Sequence, residues 1–217
     1  MNTVSALPTA QQHAVDALRQ LIVSGELRPG QRVNQEDVAS QVGLSVAPVR
    51  EALRVLEQEG QVTHYPRRGY FVTELRIEDL NEIYALRAVL EARAARHALP
   101  TLDDEALERI TDAARACEVA VDAGDVVAEL AANRRFHFAI IDAPGQPHTL
   151  RLIQLVWDST EAYRAMYYNA PEERMASLEA HERIVAAIHA RDADLLVAEL
   201  DAHRGRALEV LHTTLAD

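Results

Sequence analysis

The sequence predicts a mostly α-helical protein: a winged helix-turn-helix over residues 1–73, then an antiparallel bundle of six or seven helices over 74–217. Three observations carry this. Turn residues crowd the first third, at Pro8, Gly25, Pro29-Gly30, Gly43, Gly60 and Pro66 to Gly69. From Thr73 to Leu99 there is neither Gly nor Pro, and apolar residues recur at helical spacing. Charge divides at the same place. Residues 1–73 carry seven Arg and seven acids, whereas 74–217 carry 15 Arg and 27 acids, which accounts for the whole net charge of −12.

Composition excludes several classes. At 48% hydrophobic and 26% charged the chain is that of a folded globular protein. No apolar run approaches the roughly 20 residues of a membrane span. The first basic residue is Arg19, so no basic segment leads into an apolar export signal, and the lone Cys117 excludes an intrachain disulfide. A reducing cytoplasm is the expected setting, and Cys117 reads as a small core residue.

In the N-terminal part, Ala14, Val15, Leu18, Leu21 and Ile22 form the apolar stripe of a first helix stopped at Gly25. Asn34 is positioned as N-cap of a short helix over Gln35–Val42, with Asp37 as its capping partner. Ser45 caps a third helix with Pro48 in its first turn, and its buried stripe is Val49, Ala52, Leu53 and Leu56. Gln61–His64 and Tyr70–Val72 read as strands around an arginine-tipped turn, Tyr65-Pro66-Arg67-Arg68-Gly69. Helix, short helix, turn, helix and two-stranded wing is the plan of a winged helix-turn-helix. Val46, Arg50 and Arg54 lie off the buried stripe of the third helix and project together, where Arg side chains match guanine edges in a major groove. Arg67 and Arg68 suit phosphates or a minor groove. The alternative is that Arg50 and Arg54 pair with Glu51, Glu57 or Glu59 on a solvated face.

Six segments follow, at about 78–98, 103–123, 125–143, 147–169, 172–190 and 192–215, with breaks at Leu99-Pro100, Gly124, Pro144 to Pro147, Pro171 and Arg191-Asp192. Polar residues interrupt their apolar stripes. Asn133 and His137 form an i, i+4 pair with Val126, Leu130 and Ile140; His181 lies with Leu178, Val185 and Ile188; His203 lies with Leu196, Leu200, Ala207 and Val210. His181 is eleven residues before Asp192 and His203 eleven after it, so an antiparallel hairpin brings both to one level. Three converging imidazoles suit a borderline divalent ion such as zinc or nickel. His13, His64, His97, His148, His189 and His212 fall near segment ends or outside the bundle. Arg87 shares a stripe with Leu80, Ile83, Leu90 and Ala94. It is either an internal partner for an acid such as Glu91 or a clamp for a ligand carboxylate, with Arg164 on the Ile153, Trp157, Thr160 and Tyr167 face as a second candidate.

The run Gly25-Glu26-Leu27-Arg28-Pro29-Gly30, Val38-Ala39, Gly43-Leu44-Ser45, Pro48-Val49-Arg50-Glu51-Ala52-Leu53 and Arg67-Arg68-Gly69 resembles the DNA-binding domain of the GntR family of bacterial transcription regulators. The resemblance implies that Arg50 reads the operator. Val46 stands where the family often has Arg, which alters the expected operator sequence. Glu82-Ile83-Tyr84, Arg87, Leu90-Glu91, Asn133, Phe136-His137, His181-Glu182-Arg183-Ile184, Asp192 and His203 are similar to the FCD ligand-binding domain of the FadR-type branch. That likeness implies a metal held by Asn133, His137, His181 and His203, with Asn in place of the more frequent Asp, and a carboxylate clamp at Arg87. Six helices would favour the shorter VanR-like subgroup over seven. The expectation is a cytoplasmic homodimeric regulator, a repressor, whose binding to operator DNA is modulated by a small organic acid at the metal site. Two other readings are a regulator answering to the ion itself and a metal-dependent enzyme with a vestigial winged domain. Against the enzyme, Glu182 follows His181 directly and projects away from it.

Overall fold

The computed structural model describes residues 9–142, 145–168 and 170–216; Pro8 and Pro144, named above, and residue 169, the end of the segment expected over 147–169, lie outside them. The chain forms two compact units, residues 1–74 and 75–217.

In the first unit, α1 (Ala10–Val23), α2 (Gln35–Gln41) and α3 (Val46–Gln58) precede an antiparallel pair, β1 (Val62–Tyr65) and β2 (Gly69–Val72). The five residues of the predicted α1 stripe are all buried, as are Val49, Ala52, Leu53 and Leu56 on α3. The helices stop where Gly25 and Gly43 take a left-handed conformation open to glycine at no steric cost (φ +78° and +68°). The wing pairs Val62 with Val72 and Tyr65 with Gly69. Two capping details differ from expectation. Ser45 occupies the N-cap of α3, but its hydroxyl makes no capping bond. Asn34 accepts from the Glu36 N–H, and Asp37 bonds the Asn34 side-chain amide rather than its backbone.

In the second unit, α4 (Ile77–Ala98) runs into a 3-10 turn at Leu99–Thr101, followed by α5 (Asp104–Asp122), α6 (Val126–Ile141), α7 (Pro147–Asp158), α8 (Glu161–Tyr168), α9 (Pro171–His189) and α10 (Ala193–Ala216). The single segment expected over 147–169 is therefore two helices. The unit has seven α-helices among the described residues, so the helix count does not favour the VanR-like subgroup. The break falls at Ser159-Thr160, where both hydroxyls donate back to carbonyls of the preceding turn, those of Val156 and Trp157. Such bonds compete with the helical ladder. Arg164 secures the break by donating to the Trp157 carbonyl at 2.7 Å and to the Thr160 hydroxyl at 3.0 Å.

Ala95, Ile110, Phe136, Ile140, Ile153, Ile184 and Leu196 belong to the core drawn from α4, α5, α6, α7, α9 and α10, with Cys117 inside it. The inward face of α9 is rotated from the one expected. Ser177, Ala180, His181, Ile184, Ala187 and Ile188 are buried, whereas Leu178 and Val185 sit at its edge. At the start of α10, the Asp192 carboxylate accepts from the Asp194 and Leu195 N–H groups, as its position in the hairpin turn predicts.

One ion pair ties three helices. Glu129 on α6 is 1% exposed and accepts from Arg174 on α9, which also donates to the Ala120 carbonyl on α5. Burial raises the Glu129 carboxyl above its usual range, and Arg174 opposes that shift. Arg174→Met should leave a buried, unpaired carboxylate and destabilise the protein by about 3–5 kcal/mol in urea denaturation. Adding Glu129→Gln should recover most of the loss; an additive double mutant would show that the two side chains are not coupled.

Candidate functional site

The first unit presents one face of α3 to solvent. Arg50 and Arg54 are exposed, Ser45 is exposed beside them and Val46 is half-buried. Glu59, one of the three acids offered as local partners with Glu51 and Glu57, is instead held by Arg19 from α1 at 2.7 Å. Neither Arg50 nor Arg54 has a carboxylate within ion-pair distance among the described residues; Arg50 reaches only the Gln35 side chain, at 3.4 Å. At the wing tip Arg67 adopts a left-handed backbone (φ 65°), and Arg68 lies over the Tyr65 and Phe71 rings at 5.8 and 5.4 Å. These rings orient Arg68 while leaving its charged end exposed.

In the second unit, α6, α9 and α10 bring the polar intruders together. Asn133, His137 and His181 are 2%, 4% and 3% exposed. The ring centroids of His203 lie 5.1 Å from those of both His137 and His181. Ligating atoms of the three histidines all fall within 4.8 Å of one another. His181 Nε2 and Asn133 Oδ1 are 3.1 Å apart, a separation that serves an N–H···O bond or two donors sharing one ion. The Nδ1 atoms of His181 and His203 are out of solvent and have no hydrogen-bond partner among the described residues. All three imidazoles are held neutral. Burial is the main cause, and neighbouring imidazoles and the cations of Arg87 and Arg204 add to it for His137; His203 is pushed down to about 3. Neutral imidazole is the ligating form, and a set of nitrogens plus one amide oxygen fits a borderline divalent ion. The other histidines named from sequence are exposed; His189 stands on the rim of an outer groove of about 380 Å³ between α5 and α9 that also reaches His181.

Beside the histidines lies a cavity of about 30 Å³ lined by Tyr84, Arg87, Glu91, Trp157, Arg164 and Arg204, among others. Here the structure corrects the ranking of the arginines. Arg87 is not a free clamp: its Nε donates to Glu91 Oε1 at 2.8 Å, and its guanidinium lies 4.1 Å from the Trp157 ring. The same carboxylate receives Arg204 through Oε2, and Arg204 also meets Asp201. Arg204 was missed in the sequence because it stands next to His203, off the stripe read for α10. It shares a buried spacing with Val197 and Leu211, seven residues to either side, and that was the available signal. Arg164 is 6% exposed and has no carboxylate within ion-pair distance among the described residues. Burial lowers it to about 10.

Residues 10–72 match the family model of the bacterial regulatory proteins of the gntR family, and residues 82–206 match the FCD domain. The chain is 28% identical over 201 residues to the uncharacterized HTH-type transcriptional regulator YdhC of Bacillus subtilis (strain 168), spanning 92% of this chain and 90% of that protein. It is 27% identical over 188 residues to the HTH-type transcriptional repressor GlaR of Escherichia coli (strain K12), spanning 81% and 83%. Among solved structures, E. coli McbR/YncC is similar with a TM-score of 0.84 at 25% identity, over 96% of this chain and 100% of that one. YdhC, GlaR and McbR are transcriptional regulators, not enzymes, which sets aside the metal-dependent enzyme.

Three neutral buried imidazoles give metal-free protein a defined pH dependence. Below about pH 6.5 they take up protons in the unfolded chain, whereas native His203 resists to about 3 and His137 and His181 also stay neutral well below their usual range. The unfolded state then binds more protons, so stability falls as pH falls. Between about pH 7.5 and about pH 5.5 the three together should remove on the order of 4 kcal/mol. Urea denaturation of chelator-treated protein at both pH values measures this, and an unchanged free energy would mean the imidazoles are not held neutral.

Proposed function

Because the chain belongs to the GntR family of bacterial transcriptional regulators and carries an FCD domain, we propose that residues 1–73 bind operator DNA and residues 74–217 hold a divalent metal and a small organic acid that modulates that binding. The observation that carries the ligand part is the convergence of Asn133, His137, His181 and His203 beside an arginine-lined cavity. The four would hold zinc or nickel, with His137 and Asn133 supplied by one helix and one histidine each by α9 and α10. When bound, the ion supplies a positive point that attracts a carboxylate oxygen and strengthens the native fold. The chain's own contribution is to keep the imidazoles neutral and to surround the acid with fixed guanidinium charge. The protein is read as a cytoplasmic repressor, with GlaR a repressor among its relatives. The ligand shifts a population between forms that fit the operator and forms that do not.

On DNA, Arg50 and Arg54 are assigned to the major groove with Val46 and Ser45 beside them, and Arg67 and Arg68 to the backbone or minor groove. The lack of carboxylate partners for Arg50 and Arg54 supports this. The partner on the second unit is a second copy of the chain. Leu86 and Val89 on α4, and Leu152 and Leu155 on the adjoining α7, leave large apolar side chains in solvent, Val89 at 70%. Pairing two copies through this strip matches the two half-sites that helix-turn-helix dimers read.

Three outcomes follow. Arg50→Ala should cost about 1–3 kcal/mol of specific binding, whereas Arg67→Ala should weaken all sequences and flatten the salt dependence; operator affinity in Arg50→Ala equal to wild type would contradict the recognition-helix assignment. His181→Ala or His203→Ala should lower metal content and melting temperature while His189→Ala changes neither, by elemental analysis of protein prepared without chelator or metal-affinity tag. No stoichiometric metal, before or after titration, would contradict the site. Val89→Glu should shift the protein toward monomer in light scattering, and an unchanged dimer would place the interface elsewhere.

A further inference from the structure

The four residues assigned to the ion border two different spaces. Asn133, His137 and His203 line the cavity of about 30 Å³, whereas His181 lines the outer groove of about 380 Å³ between α5 and α9. His181 thus belongs both to the ligating set and to the groove wall. Its Nε2 lies 3.1 Å from Asn133 Oδ1, and its Nδ1 is out of solvent with no hydrogen-bond partner among the described residues. The two spaces carry opposite charge. Arg87, Arg164 and Arg204 line the cavity against one carboxylate, Glu91. The groove has the reverse balance, with Glu118 on α5 and Glu182 on α9 against Arg115. Arg115 meets Asp112 at 3.2 Å, and Arg183, beside Glu182, is held by Glu199 at 2.9 Å. Glu118 and Glu182 have no cation within ion-pair distance among the described residues. Ala114, Leu178 and Val185 give the groove apolar walls, and His189 adds an imidazole at the rim.

We propose that the α5–α9 groove is the port through which a divalent cation reaches the histidines, drawn in by Glu118 and Glu182, with His181 the first ligand it meets. This deepens the proposed function and rests on its metal reading. A dication coming by way of the cavity passes three guanidinium groups and one carboxylate, an arrangement that repels it. A cleft that sets carboxylates over apolar walls does the opposite, because it focuses the field and raises the local concentration of cations. Space decides the same way. A hydrated divalent ion carries several waters, which about 380 Å³ admits and about 30 Å³ does not. The role of the two carboxylates is therefore kinetic: they act on the ion while it crosses the groove, and the imidazoles hold it afterwards.

The test follows zinc uptake in time. Chelator-stripped full-length protein is mixed with zinc by stopped flow while a chromophoric indicator reads the free ion, and release is read by chasing zinc-loaded protein with excess EDTA. Glu118→Gln with Glu182→Gln should slow uptake about fivefold or more at low salt, and added salt should shrink the difference toward nothing. Uptake should slow by a larger factor than affinity falls. Glu78→Gln with Glu82→Gln makes the same charge change on α4, which does not line the groove, and should leave uptake near the wild-type rate. Ala186→Trp places bulk at an exposed alanine of the groove wall and should slow uptake and release together, while one zinc per chain still binds at equilibrium. This variant keeps the test decisive if the double charge change lowers affinity. Rates unchanged in both groove variants, or slowed equally by the α4 pair, overturn the port and leave the metal site standing. No zinc taken up by the wild-type protein overturns both.

Discussion

Three imidazoles and a carboxamide lie side by side inside a helical bundle, and two of the ring nitrogens have no hydrogen-bond partner among the described residues. Burying a polar group without a partner costs free energy that a fold of ordinary stability does not lightly lose. His181 and His203 nonetheless each keep a ring nitrogen sealed from water and unbonded. The imidazoles avoid the larger cost of buried charge by staying neutral, and neutrality leaves each with a lone pair directed at its neighbours. An ion held by the ring nitrogens that lie within 4.8 Å of one another would use the lone pairs that neutrality leaves free. Arg87, Glu91 and Arg204, tightly paired with one another, line the cavity beside the same point.

The surrounding bundle holds these groups in place. Asn133 and His137 keep their relation because they are one turn apart on α6. His181 and His203 keep theirs because the Asp192 turn sets the level of α9 against α10, and the Asp192 carboxylate caps the second of these helices. Arg174 joins α9 to α5 and α6 through Glu129 and the Ala120 carbonyl. Phe136 packs against His181, with ring centroids 4.2 Å apart, so the imidazole has an apolar face to rest on as well as a polar neighbour. Arg164 has a double part: it completes the carbonyl accounting at the Ser159-Thr160 break and brings a guanidinium to the lining of the cavity.

Much of this was legible in the sequence where periodicity and turn chemistry agree. The buried stripes of α1 and α3 follow a helical period between glycine stops, and the wing follows from two short apolar runs around a proline turn. The meeting of His181 with His203 was readable because both stand eleven residues from one turn. What stayed hidden had specific causes. The α7–α8 break contains neither Gly nor Pro and depends on two hydroxyls bonding backward, which ordinary helical Ser and Thr also do. Arg204 was masked by its histidine neighbour, and the rotation of α9 that places Leu178 and Val185 at the edge depends on how α5 packs there. The pairing of Arg87 with Glu91 was one of two open readings. That Arg164 has no carboxylate within ion-pair distance among the described residues is a fact of three-dimensional placement and leaves no trace in spacing.

The central claim is that one divalent ion is held by these three histidines together, not by surface carboxylates or the lone thiol. X-ray absorption at the zinc edge of the zinc-loaded protein measures this directly, because imidazole rings produce characteristic multiple scattering and sulfur a distinct shell. The account predicts a nitrogen and oxygen shell with the scattering of three imidazoles and no sulfur. A spectrum with one imidazole or none, or with a sulfur ligand, would contradict it.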